Sequence, residues 1–365
     1  MYDDYLTLTN NSLSTQYYYG LANGEVGLMV SSGYFYHLYN DDIYFDQCSS
    51  LLEMLVKKHQ NEFSLGYGLA GLAWGIEQLN RLDLIDENCK SWMKTADIQL
   101  ERAYREMILN NDFDYFKGAS GILNYFIHKK ELVQSTVEMT NLFIEKITEL
   151  SSDLHFCNGK TKDSQGNFIS VLNLGVPHGL SGTILLLLTI KEKLNIDTRD
   201  LIFKLTDRLL GFKQSSEYGC WIPCFVGEGR QSTLAWCYGD LPVILLLTKI
   251  GNFDNRYEQQ LNFLSLKTIQ RDDYFKDDLT LCHGIPIISY FYFKLWKLTR
   301  QESYFKAYLY WKEKSFTVFK DINSTNHKND FLSNSSLFNG FSGYYIAHLT
   351  MSEEISDEWD NCLLF

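Results

Sequence analysis

The chain has 365 residues, 45% of them hydrophobic and 15% aromatic, with four prolines and no low-complexity stretch; that excludes a largely disordered or linker-rich protein and supplies a large core. Its net charge of −12, with lysines and arginines scattered along the sequence, excludes an electrostatic footprint for nucleic acid. The N-terminus MYDDYLTLTNN lacks the basic flank and apolar stretch of a secretory signal, and the longest apolar runs fall short of the roughly 18 residues of a membrane span, so a soluble, cytoplasmic protein is expected.

In chain order, one pattern returns: a turn, two glycines three residues apart, then an apolar run. It reads NGEVGLMV (Gly24, Gly27), GYGLAGLAW (Gly68, Gly71), FKGASGILNYFI (Gly118, Gly121) and PHGLSGTILLLL (Gly179, Gly182). CYGDLPVILLL keeps Gly239 but has Pro242 at the second position, CHGIPIISYFYF keeps Gly284 with Ile287 there, and FNGFSGYYIAHL closes the series with Gly340 and Gly343. The first glycines are 44, 50, 61, 60, 45 and 56 residues apart, the spacing of a repeat architecture with room for two helices per copy. The stretch after each glycine pair is nearly all apolar, as in TILLLLTIKEKL, and a helix apolar all round is buried on all sides. Between these lie amphipathic stretches, SSLLEMLVKKHQ, TADIQLERAYREMIL, TNLFIEKITEL and RDLIFKLTDRLL, which read as outer helices with one wet face. The expectation is an all-α fold: an α/α toroid of seven inner and seven outer helices, occupying residues 1–365 as one domain. An open solenoid is the competing arrangement, but it needs polar residues on the inner helices that the sequence does not offer.

Aligning the copies on their first glycine brings the chemistry into register. Cys237 and Cys282 lie two residues before it, His178 and His283 one before it, and Asp114 four before it. All five therefore fall at the N-terminal mouths of inner helices, which share one end of a toroid's cavity. In a cytoplasmic chain, eight cysteines are thiols or metal ligands rather than a disulfide framework. Two cysteines and a histidine at one mouth are a Zn²⁺ set that leaves a fourth position for water or substrate. Gly284 is expected to give the adjacent Cys282 and His283 the turn backbone that points both inward. A lone cysteine is commonly a small buried hydrophobe, and Asp114 also suits a helix cap; the shared register favours a site. Cys220 and Cys224, in GCWIPCF, read as two thiols on a surface hairpin. Cys48, Cys89, Cys157 and Cys362 carry no signal, and the acidic stretch SEEISDEWD reads as a solvated terminus.

Together, LNLGVPHGLSG, AWCYGD and CHG resemble the lanthionine synthetase C-like family, the lanthipeptide cyclases, over nearly the whole chain. The resemblance implies the same toroid and a thioether-forming reaction, in which a peptide cysteine adds to dehydroalanine or dehydrobutyrine. It assigns Cys237, Cys282 and His283 as ligands of one Zn²⁺, His178 as the acid/base group, and Asp114 as its orienting or proton-handling partner. It further implies a stand-alone cyclase working on a dehydrated precursor peptide, with a separate dehydratase and an export transporter as partners and a peripheral membrane association through that complex. Many members carry arginine four residues before the first zinc cysteine; this chain has Thr233, and Arg230 is the nearest replacement cation. Glutathione addition to dehydrated residues, a non-catalytic zinc-containing peptide scaffold and a toroidal prenyltransferase subunit are the alternatives.

Overall fold

The computed structural model describes Tyr5 and residues 19–58, 61–162, 166–214, 221–227, 232–324 and 330–365. Each apolar stretch after a glycine is a helix: α1 (Val26–Tyr39), α3 (Leu69–Arg81), α5 (Ala119–Ile127), α7 (Leu180–Leu194), α9 (Asp240–Gly251) and α11 (Ile285–Thr299). The seventh is α14 (Phe341–Met351). They are buried almost throughout; α7 is inaccessible from Leu180 through Ile190. Six amphipathic helices lie outside them: α2 (Asp42–Lys57), α4 (Glu87–Leu109), α6 (Gln134–Leu150), α8 (Arg199–Gly211), α10 (Glu258–Ile269) and α12 (Glu302–Ser324). In α2, Tyr44, Cys48, Leu51 and Leu55 bury one face at helical spacing, and the Asp41 side chain starts the helix by accepting the Ile43 N–H. The one-turn α13 (Asp330–Ser333) precedes the last mouth. A seventh outer helix would precede α1, where residues 1–18, apart from Tyr5, lie outside the described residues. Tyr5 itself is helical and fully buried, and it stacks on Phe35 of α1.

The inner helices form a closed ring. α1 packs on α3, α3 on α5, α5 on α7, α7 on α9, α9 on α11 and α11 on α14, and α14 returns to α1. The turns at their N-terminal mouths repeat this order in backbone hydrogen bonds. The Ala22 N–H donates to the Gly66 carbonyl (2.9 Å), Gly66 to Phe116 (2.8 Å), Phe116 to Pro177 (3.1 Å) and Val176 to Cys237 (2.9 Å). Trp236 then donates to Cys282 (3.1 Å), Leu281 to Phe338 (2.9 Å), and Phe338 back to Leu21 (3.1 Å). A solenoid would leave its first and last turns unpaired; here the seventh turn bonds to the first, so the fold is a toroid.

Two parts depart from the sequence reading. A two-stranded antiparallel hairpin, β1 (Asn158–Lys162) and β2 (Phe168–Leu172), is inserted ahead of the fourth mouth, with Gly159 opposite Val171. Cys224 is not on a surface hairpin: it is buried against Val171 and Phe225, and its carbonyl accepts the Leu174 N–H. Cys220 lies outside the described residues. The acidic stretch is not a solvated terminus either, because its end turns into the toroid. A 3₁₀ helix over Glu358–Leu363 buries Trp359, Asp360, Asn361, Cys362 and Leu363. Trp74 of α3 donates to Asn361 Oδ1 (2.7 Å), Asn124 of α5 to the Asn361 carbonyl (2.9 Å), and Tyr290 of α11 to Asp360 Oδ2 (2.8 Å). Lys294 completes the set with an ion pair to Asp360 at 2.7 Å. Bonds from several sides of the ring to one short segment make it a plug across the toroid's centre.

Candidate active site at the toroid mouth

Five of the mouth turns share one local design. Six residues before the first glycine stands Glu62, Asp112, Asn173, Asp278 or Asn334, whose side-chain oxygen accepts a backbone N–H two residues on. The backbone carbonyl of the same residue accepts the first N–H of the inner helix, as in Ala119 to Asp112 (3.0 Å) and Ile285 to Asp278 (2.8 Å). This Asx-type cap bends the chain so that the residues just before the glycine project over the cavity. Thr233 occupies that register in the fifth copy, and the turn there is built differently. Gly239 has φ of +87°, and a Cβ on it would sit 2.8 Å from the Ser232 Cβ, so only glycine fits. Asp240 follows, buried, and accepts the Trp221 and Ile222 N–H groups and Arg271 Nη1 (2.7 Å).

On these turns, Cys237, Cys282 and His283 come together, with one donor atom from each within 4.8 Å of the others. His283 Nε2 is 3.0 Å from Asp278 Oδ2, which leaves Nδ1 for a metal. Asp278 was not singled out from the sequence, although the six-residue register before Gly284 marks it. Gly284 is extended, not left-handed, so it does not supply the expected turn conformation. It is needed because a Cβ would lie 2.5 Å from Asp278 Oδ1. Without an ion, charge divides unevenly among the donors. The hydrogen bond from Cys237, helped by His283, holds the Cys282 thiol down to about 6. Donating that bond, with burial second, pushes Cys237 well above the usual thiol range. The Asp278 bond, followed by that to Cys282, raises the His283 imidazole to about 10. The donors of a tetrahedral zinc site are roughly 3.5–3.8 Å apart, and two thiols with an imidazole held by a carboxylate suit that ion; the residues present fit it.

His178 and Asp114 form a second pair, Nδ1 to Oδ2 at 2.7 Å. Asp114 Oδ1 meanwhile accepts the Phe116 and Lys117 N–H groups at 2.8 and 2.7 Å, so Asp114 caps the mouth turn rather than the helix, whose N-cap is Gly118. The fourth mouth, which carries His178, bonds directly to Cys237 through Val176, so both groups lie on neighbouring turns of one face. Beneath them the Trp236 indole donates to the Leu363 carbonyl of the plug (2.9 Å). Arg230 lies outside the described residues. At the other end of the toroid, a cleft of about 420 Å³ is lined by Tyr34, His37, Phe293, Lys297 and Glu353 among others, and no sequence-predicted site residue reaches it.

Fold and site thus define an α/α toroid with a thiol–thiol–imidazole cluster and a His–Asp pair at one mouth. A family model described as lanthionine synthetase C-like protein matches residues 19–364, and the chain belongs to that family. Among solved structures, nisin cyclase superposes with a TM-score of 0.77 at 18% identity, covering 100% of this chain and 96% of that one, a likeness of fold. A sugar epimerase from a ruminal bacterium gives a TM-score of 0.44 at 9% identity, covering 96% of each chain. No curated protein matches the sequence. No helix among the described residues is long and apolar enough to cross a membrane.

Proposed function

We propose that this protein is a zinc-dependent lanthipeptide cyclase, a single domain over residues 1–365 that adds peptide cysteine thiols to dehydroalanine or dehydrobutyrine in a dehydrated precursor. The observation that carries the reading is the convergence of the Cys237, Cys282 and His283 donors to within 4.8 Å on a mouth shared with the His178–Asp114 pair. Cys237, Cys282 and His283 would hold one zinc ion, which lowers the pKa of an incoming peptide thiol and presents the sulfur as a nucleophile. Asp278 fixes the His283 ring by holding Nε2. Asp114 holds His178 Nδ1, leaving Nε2 to deliver a proton to Cα once the sulfur has added to Cβ. A separate dehydratase and an export complex at the membrane are the partners this reaction implies in the cytoplasm.

Ring formation is an isomerisation, so it removes an alkylatable thiol without changing the peptide's mass. Purified protein incubated with a dehydrated precursor should lower the count of alkylatable thiols at constant peptide mass. Thiols that persist with zinc-loaded protein overturn the proposal, and a mass gain equal to glutathione in its presence points to intermolecular addition instead.

A further inference from the structure

Sulfur addition moves an electron pair onto the carbonyl oxygen of the dehydrated residue, and the resulting enolate needs a cation. The fifth mouth offers the uncharged Thr233, and Arg271 behind it is committed to Asp240, Asp273 and the Ser232 carbonyl. The residue just before the first glycine is the position that carries His178 and His283. Over the seven copies it is also Tyr67, Tyr238 and two asparagines, and in the third copy it is Lys117, the single lysine or arginine of the set.

Three observations place Lys117 at the reaction. Its backbone N–H is bonded to Asp114 Oδ1 at 2.7 Å while Oδ2 of the same carboxylate holds His178, so one side chain fixes both the proton donor and the turn from which Lys117 projects. Its Nζ lies 5.7 Å from the centre of the Tyr67 ring, on the neighbouring mouth. The Tyr67 ring stands edge-on to Phe116 (centres 6.1 Å apart), whose ring meets that of His178 at 6.2 Å and that of Trp236, next to Cys237, at 5.7 Å; the ammonium thus sits over an aromatic group that borders the His–Asp pair and the thiol cluster. Among the described residues Lys117 makes no ion pair, so its charge is uncommitted.

We propose that Lys117 is a catalytic cation that binds the enolate oxygen. This rests on the cyclase reading above. His178 Nε2 takes the thiol proton, the C–S bond forms at Cβ as the C=C pair shifts toward the carbonyl oxygen beside the Lys117 ammonium, and the carbonyl re-forms as Cα takes that proton from His178 Nε2. The negative charge exists only after sulfur attack, so the ammonium favours the transition state over the bound substrate.

The test compares Lys117→Met and Lys117→Arg with the parent, measuring thiol loss from a dehydrated peptide over a range of concentrations, together with zinc content and melting temperature. Lys117→Met should lower kcat by about 10-fold or more, with KM, zinc content and melting temperature near those of the parent, and Lys117→Arg should retain most of the rate. An active parent whose Lys117→Met kcat is within about twofold overturns the assignment. So does a rise in KM at unchanged kcat, or a loss of rate confined to Arg230→Ala. A parent that leaves every thiol in place overturns the cyclase reading itself, and this inference with it.

Discussion

Asp278→Ala would leave all three candidate zinc ligands in place and remove what orients one of them. Asp278 has two tasks: Oδ1 accepts the Thr280 N–H at 2.8 Å and holds the turn, and Oδ2 meets His283 Nε2 at 3.0 Å. The His283 side chain is 36% exposed and Asp278 19% exposed, so water screens part of their attraction and the charge contribution is modest. The larger effect is loss of ring orientation and ligand basicity, which for outer partners of a metal histidine typically costs 10–100-fold in affinity, or about 1.4–2.7 kcal/mol. Asp278→Asn keeps a turn-capping oxygen but turns an NH2 toward the Nε2–H, so it should spare the turn and still lose zinc affinity as Asp278→Ala does. Competition with a chromophoric chelator gives the zinc Kd directly, and melting the metal-free variants separates damage to the turn from damage to the site. A Kd for Asp278→Ala within twofold of the parent would refute the argument that this carboxylate prepares the metal site.

The remaining predictions test other parts of the molecule. Elemental analysis of parent protein purified without chelator should give about one zinc per chain, and Cys282→Ala should lose most of it; full occupancy in that variant rules out this ligand set. His178→Asn should keep its zinc and lose about 10²–10⁴-fold in ring formation, read as thiol loss per unit time, whereas parental rates would remove His178 from the mechanism. Asp240→Ala leaves Arg271 short of a buried partner, and its folding stability in urea should drop by about 3–5 kcal/mol. Burial, followed by the positive charge of Lys312, pushes the fully buried His348 imidazole down to about 3. The unfolded chain takes up that proton near pH 6.5, so the stability present above that pH falls on acidification, by about 2 kcal/mol at pH 5 from this group. His348→Gln should shrink the difference between urea midpoints at pH 7 and pH 5, and an unchanged difference counts against a buried neutral imidazole.

What was legible in the sequence was what repeats. In four copies the glycine pair marks where the inner helix passes its own mouth turn; a Cβ on Gly182 would overlap the Val176 carbonyl. The register then put Cys237, Cys282, His283, His178 and Asp114 on one face. Asp278 was in the same register but was masked by its resemblance to an ordinary turn residue. Interactions between distant parts of the chain were not legible. SEEISDEWD reads as solvated because its partners, Lys294 and Tyr290 on α11 and Arg81 on α3, lie far away in the sequence. Cys224 reads as exposed because the strand that covers it, β2, lies well upstream and carries no repeat signal.

The plug over Glu358–Leu363 has a topological consequence for any polymer that visits the mouth. With Asp360 bonded to α11 and Asn361 to α3 and α5, the toroid is a cup and not a tunnel. A peptide cannot be threaded through it end first and must dip in and withdraw through the same opening. If the proposed cyclisation holds, a dipped chain would present whichever loop reaches the floor, so the order of crosslinks would follow the peptide's own conformations rather than its direction of travel. A thioether loop, which would jam in a narrow through-passage, would leave the way it came.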